Sequence, residues 1–348
     1  MSYSNQTLRQ PQKSNPGCSK IIIVTLVIAT IYSTVRYFID KNNYEKAHQA
    51  YLKGDCEIEN KFSEKILDSW RLFDFGNYES LALDEHIECG QFLAAAEKQA
   101  AGDPSGAIEW YSQFVFYDEF EGSPLKKEAV DRIKSIFAES NIGALTNKKN
   151  MEICGKIDAY EQENLLPQKN TLKPKLLYGC GQTYEEEKDY SSAIKMYENF
   201  LSEYPSHSLA PLVKESLARV IVTDARASGA GTIPAPERSG STSSGTTVVV
   251  IQNDSPEHLR IVFSGPDARI EELEACSTCK TYSSFFTPSY CPEKGPVGRY
   301  TLSPGQYAVV VQSISDVGVT PWTGDWTLLS GDEYQSCFFI TVTSIPVP

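Results

Sequence analysis

Lys175–Ser208 reads KLLYGCGQTYEEEKDYSSAIKMYENFLSEYPSHS. Apolar residues recur at helical spacing on both sides of Lys188-Asp189, which predicts two helices joined by a tight turn. Gly181 is followed three residues on by Tyr184, nine further by Ala193, four further by Tyr197 and eight further by Pro205. Gly181 and Ala193 are small, so two helices can approach closely there. Tyr184 and Tyr197 fill the space beside them, and Leu177 and Cys180 hold the earlier apolar positions. Pro205 has no amide hydrogen with which to continue a helix and stops the second one.

This spacing resembles the tetratricopeptide repeat, a helix–turn–helix unit of about 34 residues. Upstream, GDPSGAIEWYSQF repeats it more loosely: Ala107, Tyr111 and Phe114 match Ala193, Tyr197 and Phe200. Gly102-Asp103 parallels Lys188-Asp189, and Cys89-Gly90 parallels Cys180-Gly181. A third, degraded copy begins at Tyr44, with Tyr51, Lys53-Gly54-Asp55 and Phe62. There the small residue expected after the turn is blurred to Ile58-Glu59. Ala107 and Ala193 lie 86 residues apart, which is no multiple of the repeat length. Other helices, such as Pro124–Ser140 and Asn150–Asn164, must intervene. The expectation over residues 41–228 is a tetratricopeptide-like α-helical bundle, not a regular array. Stacked helix hairpins present a concave surface to partner proteins. A role as a mere spacer is the plainer alternative.

Residues 229–246 lack apolar periodicity and are rich in Ala, Gly, Ser, Thr and Pro, the composition of a flexible linker. Beyond them the period becomes two. Strands are expected at Thr247–Ile251, Leu259–Ser264, Tyr307–Ser313, Thr327–Leu329 and Phe338–Thr343, with turns at Asn253-Asp254-Ser255-Pro256, Ser303-Pro304-Gly305 and Ser330-Gly331-Asp332. Short strands at this spacing predict a β-sandwich over residues 247–348, immunoglobulin-like in the TLSPGQYAVVV segment. Trp322 and Trp326 in TPWTGDW form a candidate glycan platform. Tyr334 and Phe338 join them in the candidate platform, and alternation makes core packing the better reading for at least two of the four rings.

Near the N-terminus, Ile21–Ile39 reads IIIVTLVIATIYSTVRYFI. A helix of that length spans roughly 28 Å, close to a bilayer core. Arg36 lies near its end, where a long side chain snorkels, and Tyr37 and Phe38 suit the interface. Residues 1–20 carry Arg9, Lys13 and Lys20 and no acid, which favours a cytoplasmic tail by the positive-inside rule. Cleavage after Val27-Ile28-Ala29 would leave a very short apolar core, so an uncleaved single-pass anchor at 21–39 is the expectation.

Cys18 precedes the anchor, and eight of the nine cysteines follow it. Cys56, Cys89, Cys154 and Cys180 fall in the helical region, and Cys276, Cys279, Cys291 and Cys337 near the C-terminus. Even numbers in each domain fit disulfides in an oxidising, extracytoplasmic compartment. Pairing Cys56 with Cys89 and Cys154 with Cys180 would staple neighbouring helices. In the last domain Cys279–Cys291 and Cys276–Cys337 are expected, with the alternative connectivity open. Zinc or redox chemistry at Cys276-Ser277-Thr278-Cys279 is weaker, because no second C-x-x-C and no thioredoxin-like context accompanies it.

The chain has 348 residues, 41% hydrophobic and 22% charged, with net charge −13. That composition supports a folded core, and the acidity argues against nucleic acid or anionic lipid as a main partner, since both are polyanions. His48, His86, His207 and His258 are scattered. No Gly-rich phosphate loop, H-E-x-x-H or G-x-S-x-G is present. No catalytic, cofactor or metal-ligating set is therefore expected, and the chain reads as a non-enzyme.

LKGDC around Cys56, LYGCGQTYEEEKDYSSAIKMYENFLSEYPSHSLA and RASGAGTIPAPERSGST carry a resemblance to single-pass tetratricopeptide proteins of cyanobacteria. IQNDSPEHLRIVFSGP, CPEKGP and TPWTGDWTLLSGDEYQSCFFI belong to it too. The likeness implies the architecture and an envelope or thylakoid setting, and no activity or ligand. The combined expectation is an anchored extracytoplasmic scaffold that binds proteins through its helical region, with cell-envelope glycan binding as the alternative.

Overall fold

The structure is a computed structural model describing residues 16–149, 151–243, 245–283, 288, 290–314 and 319–342. Residues 1–15 of the expected tail and Thr343 of the expected last strand lie outside the described residues. The chain divides into two compact units, 1–140 and 141–348. The described residues mix ten α-helices with strands gathered at the C-terminal end.

The first unit contains α1 (Pro16–Tyr51), α2 (Cys56–Leu67), α3 (Tyr78–Ala100), α4 (Pro104–Phe116) and α5 (Lys126–Glu139). The helix α1 is long and apolar enough to cross a membrane. It does not stop at Ile39: its 36 residues run unbroken into the helical unit, about 54 Å at the usual rise. From Ile23 to Tyr32 no side chain is buried, whereas Ser33, Asp40, Ala47, Ala50 and Tyr51 form a buried stripe. One helix thus serves as an apolar rod over its first half and as a packed element over its second.

Three turns in the chain are built alike. Gly54 (φ +74), Gly102 (φ +75) and Lys188 (φ 63) each take the left-handed conformation just after a helix. The next residue is an Asp whose carboxylate caps the following helix. Asp55 accepts from the Ile58 N–H at 3.1 Å, Asp103 from Gly106 at 3.0 Å and Asp189 from Ser192 at 3.1 Å. The paired backbone bonds Asp55 N–H to Ala50, Asp103 N–H to Lys98 and Asp189 N–H to Tyr184 satisfy the carbonyls left open at each helix end. Cys56 and Cys89 form a disulfide between α2 and α3.

The second unit begins with α6 (Ile142–Leu145), α7 (Glu152–Gln162), α8 (Lys169–Glu186), α9 (Tyr190–Glu203) and α10 (Ala210–Ala227). A Cys154–Cys180 bond joins α7 to α8. The strands follow: β1 (Gly231–Thr232), β2 (Glu237–Ser241), β3 (Thr247–Asn253), β4 (Leu259–Ser264), β5 (Arg269–Leu273), β6 (Tyr282–Ser283), β7 (Val297–Leu302), β8 (Gly305–Ser313), β9 (Trp322–Leu328), β10 (Asp332–Phe338) and β11 (Thr341–Val342). They form a five-stranded sheet β1-β9-β8-β4-β5, a four-stranded sheet β2-β10-β3-β7 and a small β11-β6 pair. The two larger sheets are mixed, with β1–β9 and β10–β3 parallel. Val249, Ile251 and Tyr300 from one and Ile261, Phe263 and Val309 from the other share one core. On the other face of the five-stranded sheet, Val262 and Val310 are also fully buried, and α10 packs against β4 and β8.

That packing corrects the expected linker. Residues 229–246 are not free: β1 pairs with β9 and β2 with β10. Ile233 joins the shared core, and the Trp326 indole donates to the Pro234 carbonyl at 3.1 Å. The last two expected strands also move. Trp322 to Leu328 is strand, and Asp332–Phe338 replaces an expected turn and the start of the last expected strand.

The C-terminal disulfides differ from expectation as well: Cys276 bonds Cys279, and Cys291 bonds Cys337. Asp254 explains the second. Wholly buried, its carboxylate accepts from the N–H groups of Glu293, Lys294 and Gly295 at 3.0, 2.8 and 2.8 Å. Its own N–H donates to Phe338 O at 2.8 Å. One residue thereby draws the loop after Cys291 against the strand end that carries Cys337. Gly295 is required there, since a Cβ would lie 1.6 Å from the Asn253 carbonyl oxygen. Cys276 and Cys279 meet across a turn closed by the Cys279 N–H donating to Cys276 O at 3.2 Å.

Candidate functional site

The residues expected to pack the α8–α9 hairpin come together. Ala193 and Tyr197 are fully buried. A Cβ on Gly181 would sit 2.2 Å from the Tyr197 ring, so the glycine is what lets the ring enter. Burial, then the nearby Glu185 carboxylate, holds the Tyr197 phenol above its ordinary range. Glu185 accepts from that phenol at 3.2 Å and from Arg219 of α10 at 2.9 and 3.0 Å. Tyr184 is half-buried and Pro205 exposed beyond the end of α9. In the first unit Ala107 and Tyr111 are fully buried, with the Tyr111 ring 5.1 Å from Phe92.

Lys173 on α8 is a site residue that repeat spacing does not reveal. Its side chain is 4% exposed, and its ammonium lies 3.0 Å from Asp158, 2.7 Å from Glu161 and 2.8 Å from Glu203. Burial lowers its proton affinity, but the bonds to Glu161, Glu203 and Asp158 outweigh that and keep it charged well above neutrality. Lys173 in turn holds Glu161 below the usual carboxylate range. The cluster locks α7, α8 and α9 at one point.

The other face of α8 borders a groove of about 670 Å³ beside α6. Lys175, Tyr178, Gln182 and Glu186 line it at helical spacing, with Thr146 and Lys148 opposite. Those four positions cover about 16 Å along the axis. The wall is close-packed: a Cβ on Gly179 would meet Ile142 at 2.7 Å, and the Thr183 hydroxyl donates to Thr146 O. Lys175 and Gln182 are exposed and Tyr178 is half-buried. The groove therefore offers an aromatic face between a cation and an anion. Its sequence signal was the polar side of the same helix whose apolar side gives the repeat pattern.

The two tryptophans do not form a platform. Trp326 is 1% exposed and belongs to the shared core, while Trp322 is 46% exposed at the strand end. Both sit on the inward side of β9, because side chains alternate and their numbers differ by an even step. Trp326 is thus unavailable to a sugar.

The histidines stay apart. His48 Nδ1 lies 2.6 Å from Glu85, and His86 Nδ1 lies 3.9 Å from Glu59. His207 Nδ1 accepts the Leu209 N–H at 3.1 Å, and His258 lies 3.8 Å from Glu272. Among the described residues no group of three His, Cys, Asp or Glu is placed to hold a metal ion. Cys89, three residues from His86, is consumed by its disulfide.

Neither a protein-family model nor a curated protein matches the chain. Among solved structures it is similar to a Pseudomonas fluorescens alkylpurine DNA glycosylase, AlkC, bound to DNA containing an abasic site analog. The identity is 9% and the TM-score 0.20, over 86% of this chain and 99% of that one. A likeness at that level carries no argument for fold or activity.

Proposed function

We propose that this chain is a membrane-anchored scaffold with its bulk on the extracytoplasmic side, and that the groove along α8 takes a segment of a partner protein. The groove carries the reading: Lys175, Tyr178, Gln182 and Glu186 present polar ends along one helix face beside a cleft of about 670 Å³. The tetratricopeptide-like spacing supports it, because stacked helix hairpins present concave surfaces to partner segments. The four disulfides fit an oxidising compartment. The basic tail before α1 fits a cytoplasmic N-terminus. The two sheets read as an immunoglobulin-like sandwich, with α10 packed on its outer face. The cyanobacterial resemblance agrees with an envelope or thylakoid setting. On this reading the chain is a binding protein and not an enzyme.

The test is a photocrosslinking residue at Gln182 of the full-length protein in its native membrane. One discrete crosslinked species is expected. Tyr178→Ala should weaken its formation about tenfold, as the loss of one aromatic anchor would. The same residue placed at Lys214, outside the groove, should give no such species. An adduct pattern identical at the two positions, or none at Gln182, rejects the groove as a binding site.

A further inference from the structure

We propose that the loop between α2 and α3, Ser69–Asn77, rests in the headgroup and upper acyl region of the bilayer, giving the first unit a second membrane contact beside the α1 span. The inference rests on reading α1 as the membrane anchor and adds a lipid-binding surface to it.

The loop reads SWRLFDFGN. Its apolar side chains point outward: Trp70 is 68% exposed, Leu72 42%, Phe73 64% and Phe75 67%. Its polar groups point inward. The Asp74 carboxylate accepts from the N–H groups of Tyr78 and Glu79 at 3.0 and 2.9 Å, capping α3. Arg71 is 7% exposed in its side chain and pairs with Glu79 at 2.7 Å. It also donates to the Ile66 carbonyl and the Ser69 hydroxyl. Both charges of the loop are thus spent internally, and four apolar side chains face out. A surface loop in water has the opposite arrangement.

The loop is also fixed at a definite height on α1. The Tyr32 phenol donates to Trp70 O at 2.7 Å, and the two rings are 5.6 Å apart. Arg36 pairs with Asp40 and donates to Ser69 Oγ and to Lys65 O. The Tyr37 ring lies 5.7 Å from that of Tyr78. Arg36 therefore does not reach out to water alone: the loop and Asp40 neutralise it in place. Tyr32 precedes Ile39, the last residue of the apolar run, by seven positions, about 10 Å along the axis. Interfacial segments bury their apolar face to about that depth. At the same height α1 exposes Val35 (53%), Phe38 (63%) and Ile39 (44%). The outward rings continue that apolar surface, and Trp and Tyr favour this zone of a bilayer. Lipid is the occupant that this continuity selects over a second protein surface.

The experiment uses the full-length protein in phosphatidylcholine–phosphatidylglycerol vesicles with acyl chains brominated at a shallow or a deep position. The chain has four tryptophans, so W70F supplies the difference. Bromolipid should quench the wild type, the shallow label more than the deep one. That quenching should be lost in W70F and return when Phe73→Trp is added. Extraction of the same vesicles with alkaline carbonate separates the two readings. Release of the protein overturns both the anchor and the loop proposal. Retention with equal quenching in wild type and W70F overturns the loop proposal alone. Retention with Trp70 shielded from aqueous iodide yet untouched by bromolipid also overturns it, and points to a second copy covering the patch.

Discussion

In the α8–α9 hairpin, Ala193 and Tyr197 follow the Asp189 cap by four and eight residues. In the α1–α2 hairpin the same places after Asp55 hold Glu59 and Ser63. The turns are nearly superposable in kind: a left-handed residue, an Asp cap and the same pair of backbone bonds. The contents are opposite. Where α9 inserts a ring beside a glycine, α2 buries a carboxyl with no exposed surface. Ser63 donates to Glu59 Oε1, Oε2 has no hydrogen-bond partner, and the nearest cation-forming group, His86 Nδ1, is 3.9 Å away. Burial raises the Glu59 pKa to about 7, with Ser63 opposing and Glu85 assisting. Backbone capping therefore specifies the turn, while the positions that follow it are free to bury an apolar ring against the preceding helix, as in α9, or a carboxyl beside His86 of the following helix, as in α2. The substituted pair is polar where a repeat would be apolar, and the Cys56–Cys89 bond, three residues before Glu59, ties α2 to α3.

Breaking the apolar version should have the largest effect. Tyr197→Ser, which copies the first hairpin's residue into α9, should destabilise the second unit by about 4 kcal/mol, the range for deleting a buried ring. Urea unfolding followed by circular dichroism measures it, and a loss near zero would mean that the ring is not what holds α8 to α9.

The staples come next. Their loops span 33 residues for Cys56–Cys89, 26 for Cys154–Cys180, 46 for Cys291–Cys337 and 3 for Cys276–Cys279. In the chain-entropy account these contribute about 3.7, 3.5, 4.0 and 1.6 kcal/mol. Paired Cys→Ala variants should follow that order in denaturant midpoint. Equal losses for the 3-residue and 46-residue loops would show that native strain, not loop closure, sets their worth.

Glu59 sharpens the comparison through pH. Its folded pKa, about 7, lies above the ordinary 4.5. The unfolded chain therefore loses this proton first as pH rises. Stability is full below pH 4.5, declines toward pH 7 and is level above, by a total of order 3 kcal/mol. Glu59→Gln should flatten that part of the profile, and Ala193→Gln in α9 should not change the slope. A decline that persists unchanged in Glu59→Gln belongs to other groups. Gly181→Ala should cost about 2 kcal/mol from overpacking against Tyr197, and of these changes only removal of the three-residue disulfide should cost less. Pairing it with Tyr197→Phe should not relieve it, because the clash is with the ring edge and not the hydroxyl.

These contrasts also mark what could be read from sequence. The three turns were legible because Gly or Lys followed by Asp is a local signal with a local cause. The helical cysteine pairs were legible because each joins helices adjacent along the chain. Glu59 was visible only as a blurred small-residue position, since nothing local tells a buried neutral acid from a surface one. The strands β1 and β2 were hidden for a different reason. All five β2 residues are exposed, so main-chain pairing places it and composition reads as linker. Only Ile233 signalled the packed segment. The Cys291–Cys337 bond was missed because its geometry depends on Asp254, a residue whose turn-like sequence conceals a buried carboxylate holding three N–H groups. Trp326 was legible only as a choice between a glycan platform and the core, and its burial in the shared core decides for the core. The α8 groove needed α6, a four-residue helix too short to leave a periodic trace.

Thiol labelling of the intact protein in its native membrane, with and without reductant, tests the anchored extracytoplasmic scaffold most directly. The account predicts that after denaturation without reductant only Cys18 labels, and that the eight later cysteines label once reductant is added. Labelling of all nine cysteines after denaturation without reductant would contradict it, removing the disulfides and placing the bulk of the chain in a reducing compartment.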